Sequence, residues 1–211
     1  MKRILCFGDS NTYGLKPDGT GRFDQTVRYP CRLQTLLGDD YHIIEEGCPG
    51  RTTVFDDINN LYKKGIDYFI PCLRSHTPLD FIVIMLGTND CKTVYKASPK
   101  DIADGIAELV SAAQKYASES RVLIISPILL GENVWKPGYD TEFNENSVIT
   151  SKGLAVEYQK VAERTGCLFL DAAKIAVASP IDEEHLNEQG HFSLATAVSE
   201  IIKKHSEEVF N

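Results

Sequence analysis

Five short runs, mostly uninterrupted by polar residues, constrain the fold of this 211-residue chain more than any other feature. They are Ile4-Leu5-Cys6-Phe7, Tyr41-His42-Ile43-Ile44-Glu45, Phe81-Ile82-Val83-Ile84-Met85-Leu86, Val122-Leu123-Ile124-Ile125 and Cys167-Leu168-Phe169-Leu170. A strand with one wet face alternates apolar and polar residues, whereas a continuous apolar run marks a strand buried on both faces, as in parallel sheets. Between the runs lie helical patterns at 29–37, 58–73, 99–117, 151–165 and 187–208; in the third, Ile102, Ile106, Leu109, Val110 and Ala113 recur at the helical period. Alternating strand and helix predicts an α/β fold, a flavodoxin-like three-layer αβα sandwich around a five-stranded parallel sheet with right-handed crossovers. No repeat, low-complexity tract or linker divides the chain, so residues 1–211 are expected to form one domain.

Charge narrows the partners. The formal net charge of -8 gives no electrostatic reason to bind nucleic acid or an anionic membrane, so small neutral or apolar substrates fit better. The first apolar run is closed by Gly8-Asp9 and is too short for a signal-peptide core, and no uncharged apolar stretch approaches membrane-spanning length. A cytoplasmic location is expected. The six cysteines, Cys6, Cys31, Cys48, Cys72, Cys91 and Cys167, form no C-x-x-C pair, which points to neither a disulfide scaffold nor a zinc site.

Chemistry falls at the ends of the strands, where open α/β sheets place their ligands. The first run stops on Gly8-Asp9-Ser10, which exposes a serine hydroxyl that serves as a nucleophile if a histidine reaches it. Beyond the second run comes Glu46-Gly47-Cys48-Pro49-Gly50-Arg51-Thr52-Thr53, whose glycines permit a close backbone approach and an amide N–H aimed into a cleft. Beyond the third comes Gly87-Thr88-Asn89-Asp90, where the asparagine amide is placed to donate to the same cleft. Each cluster taken alone is also ordinary turn and cap chemistry.

Five histidines are available as a base. His42 falls in a predicted strand, His76 in the approach to the third strand, and His205 in the terminal helix beside Lys203, Lys204 and Glu207. His191 follows Gly190 inside the last helical pattern, the place of a packed or solvent-facing side chain. His185 differs, because it lies in the loop after the fifth strand, within Pro180-Ile181-Asp182-Glu183-Glu184-His185-Leu186. An aspartate three residues before a histidine can bind its Nδ1–H and fix the tautomer that leaves Nε2 free for a serine proton. Asp-x-x-His also occurs as acidic helix capping.

Together the four blocks resemble the SGNH (GDSL-like) hydrolase family, in its order and across nearly the whole chain. The resemblance implies a serine esterase with Ser10 as nucleophile and His185 as base, oriented by Asp182. It also implies oxyanion donors from the Ser10 amide, the Gly50 amide and the Asn89 side chain, and no metal or organic cofactor. Small carboxylic esters would pass through an acyl-enzyme resolved by water or by another alcohol. More locally, Ile44-Glu45-Glu46-Gly47, Arg51-Thr52-Thr53 and the stretch 79–90 are similar to the bacterial arylesterase and acyltransferase branch, some of whose members form ring-like oligomers. Asn11 and Tyr13 stand where that branch leads one to expect Leu and Trp, and Gly50 replaces an Ala; these neighbours of the nucleophile shape the acyl pocket.

A carbohydrate O-acetyl esterase would use the same residues, with Trp135, Tyr139, Asn144 and Asn146 as sugar contacts; Trp135 serves equally as a subunit contact or loop anchor. Outside the enzymes, a flavodoxin-like binding protein would cap an anion with Ser10-Asn11-Thr12, which leaves Asp182 and His185 unexplained. Two long irregular stretches, 16–28 and 129–150, carry Phe23, Leu129, Leu130, Val134, Trp135, Tyr139 and Phe143. Aromatics on exposed loops mark contacts, so a homo-oligomer is expected in which neighbouring subunits narrow the channel to Ser10. Loops folded back on their own core would instead leave a monomer.

Overall fold

The computed structural model describes residues 1–207. Five strands, β1 (Lys2–Gly8), β2 (Tyr41–Gly47), β3 (Phe81–Met85), β4 (Arg121–Ser126) and β5 (Leu168–Asp171), form one parallel sheet in the order β2-β1-β3-β4-β5. The inner strands β1, β3 and β4 are largely buried, while β2 and β5 lie at the edges and are mostly half-buried. Successive side chains on a strand point to opposite faces. Leu5 and Phe7, Ile82 and Ile84, and Val122 and Ile124 therefore enter one apolar layer, and Ile4 and Cys6, Val83 and Met85, and Leu123 and Ile125 enter the other. Helices α3 (Gly65–His76), α4 (Pro99–Tyr116) and α5 (Glu145–Thr165) cover the first face; α2 (Tyr29–Leu37) and α6 (Glu188–Glu207) cover the second. Truncating one of the fully buried strand residues to alanine costs about 2–5 kcal/mol.

This is the expected α/β sandwich, and its topology places the site. The chain leaves β1 for β2 on one side and returns to β3 on the other, so the sheet order reverses beside β1, the kind of position where open α/β sheets bind ligands. Gly8 is paired with Gly47 of β2 and with Met85 of β3, so three strands end level with one another.

Two helices depart from the sequence reading. The helix expected from residue 58 begins at Gly65, after a single 3-10 turn at Leu61–Lys63. Residues 58–64 are held by the loop after β2: Thr52 N–H donates to Lys63 O at 3.0 Å and Gly65 N–H to Thr52 O at 3.1 Å. Ile58, Leu61 and Tyr62 are exposed, so their apolar character reflects no core face. Helix α5 starts at Glu145 rather than at 151, because Asn144 and Ser147 form a capping box. The terminal helix runs as expected from Glu188, with Glu208 outside the described residues. No helix among the described residues is long and apolar enough to cross a membrane.

The long stretches fold largely onto the core of their own chain. Phe23, Leu130, Val134 and Phe143 are buried and Trp135 packs partly against the core, which leaves Leu129, 37% exposed, as the exposed large apolar residue of that set.

Candidate active site

Ser10 opens a four-residue helix, α1 (Ser10–Tyr13), immediately after β1. Asp9 caps it, its Oδ1 accepting from Asn11 N–H at 2.9 Å. Thr12 Oγ1 and Tyr29 Oη share a hydrogen bond of 3.1 Å, which ties the short helix to α2. The loop after β2 is latched to the same place: Cys48 N–H donates to Gly8 O at 3.1 Å, and Arg51 Nη1 donates to Gly8 O at 2.9 Å and also to Glu46 O. The buried Arg51 guanidinium stacks over Phe7 at 4.2 Å, a cation–π contact that adds to its hydrogen bonds. Gly50 takes φ +80°, in the left-handed region that favours glycine.

The loop after β3 closes the group. Asn89 Nδ2 donates to Arg51 O at 3.2 Å, and Asp90 Oδ1 accepts from Thr53 N–H at 2.9 Å and from Thr53 Oγ1 at 2.5 Å. Gly87 permits the turn: its φ is +125°, and a Cβ there would lie 2.2 Å from Tyr158 Oη, which itself donates to Leu86 O at 2.8 Å. The Gly8–Ser10, Gly50 and Asn89 blocks are thus joined by direct hydrogen bonds.

His185 arrives from the far end of the chain. Its Nε2 lies 2.9 Å from Ser10 Oγ and its Nδ1 2.6 Å from Asp182 Oδ2. Asp182 Oδ1 also accepts from the backbone N–H of Glu184 at 3.1 Å and of His185 at 3.0 Å, so one carboxylate shapes the turn and aims the ring. Between them Glu183 takes φ +58°, a left-handed conformation uncommon for a residue with a side chain. Its surroundings hold it there: Gly131 N–H donates to Glu183 O at 2.8 Å, and Asn133 donates from Nδ2 to Oε1 at 2.9 Å and from its backbone N–H to Oε2 at 2.5 Å. Asn11 completes the join, with Oδ1 accepting from Leu186 N–H at 2.8 Å and Nδ2 donating at a long 3.5 Å to Glu184 O.

The electrostatics suit a base held by an acid. Burial pulls the His185 pKa down, but the Asp182 hydrogen bond, with the charges of Glu184, Asp182 and Asp9, outweighs it and holds the imidazole above its ordinary 6.5. Burial pushes Asp9 and Asp90 up to about 6 and Glu184 up to about 7. The other histidines stand apart. His42 is exposed on β2, His76 ends α3 against Glu46, and His205 lies near the end of α6. His191 is fully buried and accepts from Tyr29 N–H at 3.4 Å, its pKa driven down to about 3 by burial.

Of the site residues read from the sequence, Ser10, His185 and Asp182 are joined by direct hydrogen bonds, and Asn89 is bonded to Arg51 in the loop that carries Gly50. Sequence reasoning assigned no role to Arg51, Glu184 or the Asn11 clamp. A cavity of about 660 Å³, lined by Gln25 and Thr26, by residues of α2 and β2 and by Phe192 of α6, contains none of the cluster. Among the described residues one set of metal-ligand type lies elsewhere: ligand atoms of Glu46, Cys72 and His76 come within 4.8 Å of one another, with the Glu46 carboxylate already bonded to Tyr68 Oη and His76 Nε2.

A serine hydroxyl bonded to an imidazole with a carboxylate behind it is the equipment of acyl transfer. Residues 6–192 match the model of the GDSL-like lipase/acylhydrolase family, so the chain belongs to that family. Its structure is similar to that of the M. smegmatis aryl esterase, 35% identical over 97% of this chain and 99% of that one, with a TM-score of 0.91. A carbohydrate acetylesterase from Sinorhizobium meliloti is 32% identical over 97% and 99% of the two chains, with a TM-score of 0.89. An acetylxylan esterase of Xylanibacter ruminicola is 25% identical over 95% of this chain, which spans 43% of that relative's length.

Proposed function

We propose that the chain is a serine esterase of small carboxylic esters that works through an acyl-enzyme. His185 Nε2 takes the proton of Ser10 as Oγ attacks the ester carbonyl, and the charge collecting on the carbonyl oxygen is received by the amides of Ser10 and Gly50 and by the Asn89 side chain. As the C–O bond to the alcohol breaks, His185 returns the proton to the leaving oxygen. Water then attacks the acyl carbon with His185 again as base, the bond to Ser10 Oγ breaks and His185 returns the proton to Oγ; another alcohol doing so would make the enzyme an acyltransferase. Asp182 holds the ring in the tautomer this cycle needs.

The observation that carries the reading is the continuous relay from Ser10 Oγ to His185 Nε2 at 2.9 Å and from His185 Nδ1 to Asp182 at 2.6 Å. An organophosphonate should label Ser10, and Ser10→Ala should abolish both labelling and turnover; labelling of another serine would overturn the assignment. The anion-binding alternative loses two of its three capping residues, since Asn11 and Thr12 are committed to the 184–186 loop and to Tyr29, and a buried carboxylate, Asp9, caps the helix.

Similarity to both an aryl esterase and carbohydrate acetylesterases favours acetyl esters with either aryl or sugar leaving groups. Of the residues considered as sugar contacts, Asn144 is spent as the cap of α5, and Trp135 keeps an unpartnered buried Nε1. A panel of aryl, alkyl and acetyl-sugar esters separates the two. Self-association is proposed as well, supported by the branch similarity and by exposed Leu129, Val177 and Ile181 near the mouth of the 182–185 loop; light scattering giving the 23.5 kDa of one chain would refute it. Six free thiols, three of them buried, fit a reducing, cytoplasmic setting.

A further inference from the structure

The esterase mechanism leaves one buried charge beside the reacting atoms unused. Glu184 is 7% exposed, and its Oε1 stands 3.9 Å from His185 Nε2, the same nitrogen that bonds Ser10 Oγ. Nothing else in the described structure satisfies that carboxylate: Lys92 and Asp140 bear on it only through their charges, and Lys92 Nζ is paired with Glu142 at 2.5 Å. Its backbone is fixed on both sides, with the N–H given to Asp182 at 3.1 Å and the carbonyl receiving Asn11 Nδ2 at 3.5 Å. Its oxygens are not sealed off from solvent, so a group entering the site can supply the hydrogen bond that no described residue gives.

The geometry says what supplies it. His185 Nε2 must hand its proton to the leaving oxygen, so during reaction that oxygen lies within hydrogen-bond distance of Nε2. Oxygens on adjacent carbons are themselves about a hydrogen bond's length apart. A hydroxyl next to the esterified oxygen is therefore brought to the side of Nε2 where Glu184 Oε1 stands. We infer that Glu184 selects the leaving group, accepting a hydrogen bond from a hydroxyl vicinal to the ester oxygen of a sugar or other polyol. This rests on the esterase reading and deepens it from small esters in general to monoacyl esters of vicinal diols. A purely electrostatic effect of Glu184 on His185 would act on all esters alike. Recognition acts only on those that carry the hydroxyl.

The test compares kcat/KM for a monoacetylated methyl glycoside bearing a free hydroxyl beside the acetate with that for its deoxy counterpart lacking the hydroxyl. The wild-type enzyme should favour the hydroxylated ester by about tenfold or more, the scale of a hydrogen bond to a charged group. Glu184→Ala should bring the ratio to within about twofold of one. Glu184→Gln, which keeps an acceptor without the charge, should fall between. Phosphonate titration of Ser10 counts the competent sites in each variant, so a folding defect cannot pass for lost selectivity. A wild-type ratio near one, a ratio that survives in Glu184→Ala, or turnover of aryl acetates with neither glycoside accepted would each overturn the inference while leaving the esterase reading standing. Failure of Ser10 to be labelled at all would remove the reading beneath it.

Discussion

Ser10 sits at the end of a strand whose neighbours on both sides stop at the same level, whereas His185 sits in a loop that owes its shape to four side chains. On the serine side, β1 is paired along its length with β2 and from Ile4 onward with β3, and the loops that carry Gly50 and Asn89 leave from those same strand ends. On the histidine side, Asp182, Glu183, Asn133 and Asn11 supply the bonds that fix the turn. A nucleophile placed by the sheet cannot move without disturbing the fold. A base placed by side chains can be detuned while the fold survives, so the two regions should answer mutation differently.

The largest effect of that kind belongs to Asp182. Asp182→Asn keeps the shape but presents the ring with the wrong partner, and kcat should fall by about four orders of magnitude with the thermal midpoint nearly unchanged. Activity within about threefold of wild type would reduce Asp182 to a structural cap. Asn89→Ala should cost about a hundred- to a thousandfold in kcat, the effect of losing one oxyanion donor. Because Asn89 Nδ2 also holds Arg51 O, a buried backbone group, its loss should lower the thermal midpoint as well, which distinguishes the serine side from Asp182.

Asn11 bridges the two regions and should show a smaller effect. Asn11→Ala frees the Leu186 N–H and lets His185 drift, so kcat should drop about tenfold with KM little altered, as expected of a positioning residue. Pre-steady-state acylation measured against the wild type tests it; an unchanged rate would mean that Asp182 alone sets the ring. The mildest signature is in pH. Only the neutral imidazole accepts the Ser10 proton, and its pKa is held above 6.5, so kcat/KM for an uncharged aryl ester should fall on the acid side through a midpoint above 6.5. A midpoint below 6.5 would say that burial outweighs the carboxylates around His185.

The serine side was legible in the sequence because each of its parts is local. An apolar run ending on Gly8-Asp9-Ser10, a glycine turn after β2 and an asparagine after β3 announce themselves within a few residues, and topology brings them together. Asp182 and His185 were legible for the same reason, three residues apart. What escaped depends on partners distant in sequence. Asn11 reads as a neighbour that shapes the acyl pocket, since its partner Leu186 is 175 positions away. Glu184 carries no signal of its own within Asp182-Glu183-Glu184-His185, and only the fold buries it beside Nε2. Arg51 enters the sequence reading only as part of the Arg51-Thr52-Thr53 resemblance, yet it is buried against Phe7. The early start of α5 was hidden because its first turn carries no apolar period, only the Asn144–Ser147 box.

Trapping the acyl-enzyme ties both regions to one event. An aryl ester whose acyl group leaves the enzyme slowly is mixed with the chain, quenched in acid and mapped by peptide mass spectrometry. One acyl group should appear on the peptide containing Ser10, form at a rate lowered strongly by Asp182→Asn, and be absent from Ser10→Ala. An acyl group on any other residue, or hydrolysis by Ser10→Ala at the wild-type rate, would contradict the assignment of Ser10 and His185 as nucleophile and base.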